Sequence, residues 1–397
     1  MTVEAGAKPG FESKPVLVYL VTEDWYFLSH RLPMACEAMR AGYEVHVLTN
    51  ANGHEAAIAK HGFTVHPLPW RRGSVNPADL LAIIRAVRKL YRALAPDLAH
   101  HVALQPSIIG SLAASGLPVV CLNALAGLGF AFTSRTPRAR IMRAVIETVQ
   151  RRVFNRRNAA VLVQNPDDRA AAVALGVDAG RITMIRGSGV DTDVLVPLPE
   201  PDGPVTAAFV GRLLDDKGVR TLIAAHDLLA RRQHPVRLLL AGEPDAANPT
   251  SIPPEETDAW RRRPGVEVLG HVADIRSVWA AAHIAVLPSR REGLPKSLLE
   301  AAACGRPIVA TDVPGCREVA HAGRNALLVP PDDPVALADA IDALARDPDR
   351  RRRFGAAGRT LAETEFSSAR IGRETVALYD RLIGRRGGLL RGPAASG

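Results

Sequence analysis

Pro288-Ser-Arg-Arg-Glu-Gly-Leu-Pro-Lys-Ser-Leu-Leu-Glu300 is the stretch that decides the fold. An apolar run, Ile284 to Pro288, has strand length and ends where the charges begin. Gly293 permits a turn, and Pro295 stands where the first helical residue belongs, since its missing N–H would be unpaired there anyway. The stretch therefore reads as strand, loop and helix in immediate succession, the repeating unit of a parallel α/β sheet.

The same grammar runs through the whole chain. Val16-Thr22, Val45-Thr49, Leu98-His100, Val119-Asn123 and Ala160-Gln164 read as buried strands, with amphipathic helices Leu28-Ala41 and Pro77-Leu94 among them. Thr206-Val210, Val236-Ala241, Val266-Leu269, Ile284-Pro288 and Ile308-Thr311 form a second series, with helices Lys217-Arg232, Ile275-Ala282 and Pro295-Cys304. There are enough strands for two doubly wound α/β sheets. Val196-Pro-Leu-Pro-Glu-Pro-Asp-Gly-Pro204 carries four prolines in nine residues and reads as the linker between them. The expected organisation is a loose tail over residues 1–14, one domain over 15–195, the linker at 196–204 and a second domain over 205–366. A last helix, Ser367 to Ile383, then turns back toward the first domain, and residues from 385 on form a mobile tail. A ligand is expected in a cleft between the domains, at the C-terminal ends of the strands.

Composition sets the outer limits. The 397 residues, 47% hydrophobic and 23% charged, suit two ordinary globular cores. No apolar run approaches the roughly 20 residues that span a bilayer, and the opening segment lacks the apolar centre of a signal peptide. Cys36, Cys121, Cys304 and Cys316 show no metal-binding or CxxC spacing, so reduced thiols in a cytoplasmic chain are expected. The net charge of +9 is uneven: residues 1–190 hold 22 Lys and Arg against 13 Asp and Glu, and the remainder hold 28 of each. The first half is thus expected to face something anionic.

Two motifs carry chemistry. Free N–H groups where the helix starts at Pro295, with Gly293 allowing close approach, suit a diphosphate. Glu292 stands in that loop. Glu300, about two turns into the helix, can accept hydrogen bonds from a ribose diol, or it can simply pair with Lys296 four residues earlier. The second motif is Phe209-Val-Gly-Arg-Leu-Leu-Asp-Asp-Lys-Gly218. Here a strand delivers Arg212 and Lys217 to its C-terminal end. Two cations there would neutralise a leaving diphosphate; alternatively they form a solvated rim with Asp215 and Asp216. The order of a P-loop is absent, and no G-x-G-x-x-G follows the first strand, which argues against a nicotinamide oxidoreductase.

Together, GRLLDDKG and, about 80 residues later, EGLPKSLLEAAACGRPIVATDVPG resemble the retaining glycosyltransferases of family 4 and GT-B fold, whose hallmark is Glu-x7-Glu, here Glu292 to Glu300. EDWYFLSHRLPMACEAMRAGYEVHVLT, NALAGLGF, VQNPDD and IRGSGVD resemble the bacterial subgroup that builds lipid-linked oligosaccharides and exopolysaccharides. The resemblance implies two Rossmann-like domains facing each other across a cleft, and a nucleoside-diphosphate sugar donor, UDP-linked, needing no metal or other cofactor. It places Arg212 and Lys217 on the donor diphosphate, with Gly293, Leu294 and Pro295 approaching sugar and phosphate. Glu300 falls on the ribose, Glu292 beside the transferred sugar, and His271 and Val272 beside the base. Many members have Glu-Gly-Phe-Gly where this chain has Glu292-Gly-Leu-Pro295, so the sugar itself is not implied. For the acceptor half, the frame Asp97-Leu-Ala-His100-His101 makes His100, then His101, the candidates near the reaction centre, with a buried core histidine as the alternative for each. Glu23, Asp24 and His30 follow the first strand on the acceptor side.

Three features remain. Asp191-Thr-Asp193 spells a metal-binding D-x-D, but it sits at the hinge of a chain whose phosphate site already has cations, so no metal is expected. Ser134 to Arg157 holds eight arginines and one acid, Glu147, on a helix with an apolar face. Such a helix can lie on an anionic membrane through Arg135-Arg157, or pack its apolar stripe on its own domain. With aromatics at only 5% and no recognition motif, nucleic acid is not expected. The expected protein is a hexosyltransferase in the cytoplasm, free or peripheral on the inner face of the membrane, with a glycan or polyprenyl-linked sugar as acceptor. The rival readings are a GT-B nucleotide-sugar epimerase and a non-catalytic nucleotide-sugar-binding protein.

Overall fold

Runs such as Leu17 to Val21 and Ile308 to Ala310 are almost wholly inaccessible to water, which only strands covered on both faces require. In the computed structural model, which describes residues 14–70, 76–125, 147–232, 236–246 and 248–384, those runs are the middles of two parallel sheets. The chain runs through β1 (Val16–Glu23), α1 (Asp24–His30), α2 (Leu32–Arg40), β2 (Glu44–Asn50), α3 (Glu55–Ala59), β3 (Thr64–Pro67) and α4 (Pro77–Leu94). It continues through β4 (Leu98–Val102), α5 (Leu104–Ala113), β5 (Val120–Ala124), α6 (described over 147–154), β6 (Ala159–Val163), α7 (Pro166–Ala174) and β7 (Ile182–Met184). The strand order is β3-β2-β1-β4-β5-β6-β7.

The second series is β8 (Thr206–Val210), α8 (Val219–Ala230), β9 (Arg237–Ala241), α9 (Pro254–Arg261), β10 (Val266–Gly270), α10 (Ile275–Ala281), β11 (Ile284–Leu287) and α11 (Lys296–Ala303). It closes with β12 (Ile308–Thr311), α12 (Pro314–Arg317), β13 (Ala326–Val329), α13 (Pro334–Ala345), α14 (Pro348–Glu365) and α15 (Ser368–Leu382), and its strand order is β10-β9-β8-β11-β12-β13. In both sheets the order reverses beside the first strand, the doubly wound arrangement.

Helix starts follow one local rule. Asn76, Asn165, Asp333 and Asp347 each accept a backbone N–H of the first turn, and each is followed by a proline. Such a cap is worth about 1 kcal/mol, and the proline gives up a donor that had no partner. Proline also explains one difference from expectation. The helix expected over Leu28-Ala41 is two helices, broken at Arg31 (φ −122°), because Pro33 cannot donate to Ser29 and its ring crowds that carbonyl.

Packing divides the described residues into two units. The first holds residues up to Ala124, Thr148–Val161 and those from Val376 on; the second holds Leu162–Thr375 with Leu125 and Glu147. These boundaries fall inside β6 and α15, not at the proline-rich stretch. Residues 196–204 nevertheless carry no regular element and lie between β7 and β8, where the chain leaves one sheet for the other. They are strapped to the second unit: Leu198 N–H donates to the Cys304 carbonyl, buried Arg306 donates to the Pro199 carbonyl, and Arg351 makes two bonds to the Glu200 carboxylate. In the first unit the Tyr379 hydroxyl, on the last helix, lies 2.7 Å from the Tyr19 hydroxyl and 2.6 Å from His100 Nδ1, and Tyr43 donates to Asp380 at 2.7 Å. All four cysteines are free.

Candidate functional site

The order of the second sheet turns around between β8 and β11, the place at which open α/β sheets take ligands, beyond the C-terminal ends of the strands. The two loops are residues 211–218 and 288–295, the two motifs singled out in the sequence. They touch backbone to backbone: Gly218 has φ +69°, and a Cβ there would overlap the Pro288 carbonyl oxygen. The first turn of α12 closes in as well, for a Cβ on Gly315 would overlap the carbonyls of Glu292 and Gly293. Only glycine fits at either point.

Lys217 Nζ donates to Glu292 Oε1 at 2.6 Å, and the Ser289 hydroxyl donates to the same oxygen at 2.6 Å. Ser289 is itself held by Thr311, whose hydroxyl donates to its carbonyl. Lys217 does not pair with its neighbours Asp215 and Asp216, which are taken by Arg220 and Arg290 and by Arg291. The solvated-rim alternative therefore does not describe Lys217. Arg212 reaches across to the loop after β9 and donates to Asp245 at 2.6 Å; its side chain is 42% exposed. Each cation thus already holds a carboxylate, which an arriving diphosphate would have to replace or share.

Pro295 is the N-cap of α11, with extended backbone, so the helix begins at Lys296, one residue later than expected. Glu300 lies on the buried side of that helix and is 8% exposed. Lys296 Nζ is 3.4 Å from its Oε1, so the i, i+4 pair exists, but it is not a surface pair. Burial pushes the Glu300 carboxyl above the usual carboxylate range, and Lys296 pulls it part of the way back. His271 is exposed after β10, with its N–H on Glu243 at 3.3 Å, and Val272 packs against the second core.

Three residues outside the expected set shape the 292–295 loop. Asn165 caps α7, accepting the Asp168 N–H at 2.7 Å, while its amide donates to the Gly293 carbonyl at 2.9 Å and to the Asp168 carboxylate at 3.0 Å. Gly187, with φ +71°, leaves room for the Leu294 side chain, which a Cβ there would overlap. Gly315 is the third. Asn165 belongs to the quoted run VQNPDD, but nothing in the sequence tied it to a loop 128 positions away.

The histidine expectation requires correction. His100 and His101 are both wholly buried in β4. His101 sits against the Tyr91 hydroxyl at 2.9 Å and Asn123 Oδ1 at 2.8 Å, over Gly110, and burial lowers its pKa to about 4. His100 is held by Tyr379, and burial, then Arg31 and His101, push it well below the usual imidazole range. Neutral rings with no exposed surface are core residues, the alternative open for each. Asp24 is also corrected: it is wholly buried, and its carboxylate accepts the N–H groups of Trp25, Asn52 and His54, so it organises the loop after β2. Glu23, 7% exposed, accepts from the Asn52 amide at 2.5 Å. His30 meets the Ser29 hydroxyl at 2.6 Å and stacks on Tyr26.

Asp191 of the D-x-D accepts the N–H groups of Asp193 and Val194, a turn. Among the described residues there is no group of three or more His, Cys, Asp or Glu side chains arranged to hold a metal ion. Much of the basic stretch Arg135-Arg157 lies outside the described residues. At its described end Val153 and Phe154 are buried and Arg156 donates to Ser111 and Ser115, whereas Arg151, Arg152 and Arg157 are exposed. Among the described residues no helix is long and apolar enough to cross a membrane.

Comparison with known proteins fits this geometry. Residues 17–165 match the family model described as glycosyl transferase 4-like, and residues 204–347 match that of glycosyl transferases group 1. The chain is 38% identical over 233 residues to alpha-maltose-1-phosphate synthase of Mycolicibacterium smegmatis, a match spanning 52% of this chain but only 58% of that relative. It is 27% identical over 376 residues to the putative glycosyltransferase EpsD of Bacillus subtilis, covering 91% and 96% of the two chains. It is 25% identical over 380 residues to N,N'-diacetylbacillosaminyl-diphospho-undecaprenol alpha-1,3-N-acetylgalactosaminyltransferase of Campylobacter jejuni, covering 90% and 98%. Among solved structures, sucrose-phosphate synthase of Thermosynechococcus elongatus aligns with a TM-score of 0.79 at 20% identity, over 94% of this chain and 100% of that one. HepE of Anabaena, solved in complex with UDP, aligns with a TM-score of 0.74 at 19% identity, over 92% and 100%. Identities this low carry the fold and no more.

Proposed function

We propose, from the premise that this chain belongs to the family 4 glycosyltransferases of GT-B fold, that it transfers a sugar with retention from a UDP-linked donor to a hydroxyl of a lipid-linked or polysaccharide-precursor acceptor. The observation that carries the donor half is the meeting of Lys217 with Glu292 where the strand order of the second sheet turns around. Two relatives with near full-length matches act in the same direction: one is a putative glycosyltransferase, and the other is named for an undecaprenol-linked acceptor. HepE binds UDP on the same fold.

In this reading the bond from the sugar's anomeric carbon to the diphosphate oxygen breaks, and a bond from that carbon to the acceptor oxygen forms on the same face. The acceptor's proton passes to the departing diphosphate oxygen, and UDP leaves with the electron pair of the broken bond. Lys217, Arg212 and the N-terminus of α11 stabilise that charge, so side-chain cations and a helix end do the work without a metal. Gly293, Leu294 and Pro295 bring their backbone to sugar and phosphate. Glu300 accepts from the ribose hydroxyls, His271 and Val272 flank the base, and Glu292 orients the sugar while sharing Lys217. The two glutamates are not the acid and nucleophile of a glycosidase.

A panel of nucleotide sugars, scored by thermal stabilisation and then by product analysis, tests the proposal. A ligand at 100 times its Kd stabilises by about 2.7 kcal/mol, a readily measured shift. UDP-sugars are expected to stabilise the protein, and one of them to release UDP only when an acceptor is present. An epimerised nucleotide sugar formed without acceptor points to the epimerase reading. Binding with no turnover under any acceptor points to the non-catalytic one.

The proposal extends to location: a cytoplasmic protein, peripheral on the inner face of the membrane through the arginines of Arg135-Arg157. The exposed Arg151, Arg152 and Arg157 support it. Each basic residue near an anionic surface contributes on the order of 1 kcal/mol. Co-sedimentation with anionic vesicles, weakened by salt and absent with neutral ones, is the expected result; no binding to either sinks the extension.

A further inference from the structure

We infer that Asn165 is a positioning residue for the donor loop, fixing by its side-chain amide the direction in which the backbone of Gly293 and Leu294 faces the donor. The inference rests on the donor-site reading above and adds a residue that lies outside both motifs.

Asn165 is 1% exposed, and its orientation is over-determined. Its oxygen is committed to the Asp168 N–H and its nitrogen to the Asp168 carboxylate, so the amide cannot turn round without losing both bonds. The remaining N–H of that nitrogen meets the Gly293 carbonyl. No peptide bond described in this chain is cis. In a trans peptide the carbonyl and the following N–H point in opposite directions. Holding the Gly293 carbonyl toward α7 therefore turns the Leu294 N–H away from α7. Glycine at 293 has no side chain to resist another orientation, so the direction must be imposed from outside.

Two further contacts act on the three residues from 292 to 294. The Leu294 side chain fills the space that Gly187 leaves open, and the Glu292 and Gly293 carbonyls lie against Gly315. With the Glu292 carboxylate tied to Lys217 and Ser289, every residue from 292 to 294 is held by a different element. A loop so held need not reorganise its N–H groups as charge develops on the leaving diphosphate.

Asn165→Ser separates the clamp from the cap, because a serine hydroxyl still accepts the Asp168 N–H but cannot reach the Gly293 carbonyl. Asn165→Asp keeps the cap and sets a carboxylate oxygen against that carbonyl. The expected result for Asn165→Ser is faster amide hydrogen exchange across residues 289–296 in the ligand-free protein, UDP affinity within about threefold of wild type and kcat at least tenfold lower. Asn165→Asp should lose more. A merely structural role would move thermal stability and exchange globally, without separating kcat from UDP affinity. Unchanged exchange over 289–296, or unchanged kcat, overturns the inference. If the wild-type protein transfers no sugar, the function reading has failed and the exchange experiment alone decides this one. Should Asn165→Ser not fold, Gly187→Ala disturbs the same loop through Leu294 and must give the same local exchange and the same split between kcat and UDP affinity. Wild-type behaviour there is equally fatal.

Discussion

Lys217→Ala is expected to lower kcat by two to three orders of magnitude with the fold intact. Removing one preorganised donor from a developing oxyanion costs about 10²–10³ in rate, and an ammonium on a diphosphate is at least such a donor. The substitution has a second effect that must be kept apart from the first. It leaves the Glu292 carboxylate, 8% exposed, with the Ser289 hydroxyl but without its cation. An unpaired buried charge of this kind destabilises by about 1–3 kcal/mol. The double variant Lys217→Ala with Glu292→Gln removes the orphaned charge. It should recover most of the lost thermal stability and none of the lost rate. Initial rates and melting curves on the three proteins decide the matter: a double variant with wild-type kcat would remove Lys217 from the leaving-group role.

Glu300→Gln is expected to weaken UDP binding by about 10- to 100-fold, the loss of one or two hydrogen bonds to a charged acceptor at about 1.5 kcal/mol each. Its pH dependence is the sharper test. Burial raises the folded-state pKa of this carboxyl, so it takes up a proton at a higher pH than an exposed glutamate would. A protonated carboxyl offers fewer acceptor sites to a diol. Wild-type affinity for UDP should therefore be full above that raised pKa and fall as pH drops through it, beginning above the ordinary glutamate range. The glutamine variant, which cannot titrate, should bind weakly and without that pH step. Calorimetric titration from pH 8 downward checks both. Equal affinity of the two proteins at pH 8, or the same pH step in both, would remove Glu300 from the ribose.

Much of this architecture was legible because buried parallel strands must be apolar on both faces. The runs at Val16, Val45, Thr206, Ile284 and Ile308 could hardly be anything else, and they mark the central strands of both sheets. What escaped notice lies at the edges. β3 and β7, the two edges of the first sheet, are four and three residues long and hold no buried residue, so they leave no apolar run to find. α14, Pro-Asp-Arg-Arg-Arg-Arg at its start, shows little apolar periodicity because Arg351 and two glycines occupy its inner face. The site divides in the same way. Lys217, Glu292 and Glu300 lie in short motifs whose spacing along a loop and a helix is local. His100, His101 and Asp24 were misjudged because burial depends on what α4, α5, α15 and the loop after β2 lay over them. No local pattern reveals that. Asn165 and Gly187 could not have been linked to Leu294 without the fold.

The last helix has a consequence for how the protein is made. Tyr379 and Tyr19 share a hydrogen bond although they are 360 positions apart in the chain. A ribosome therefore adds 360 residues after the first strand's tyrosine before the partner of that tyrosine exists. The first unit is completed only after the second has been made, and until then the rings of Tyr43 and His100 that Tyr379 covers stay exposed, apolar surface on which a nascent chain can stick or a chaperone can hold.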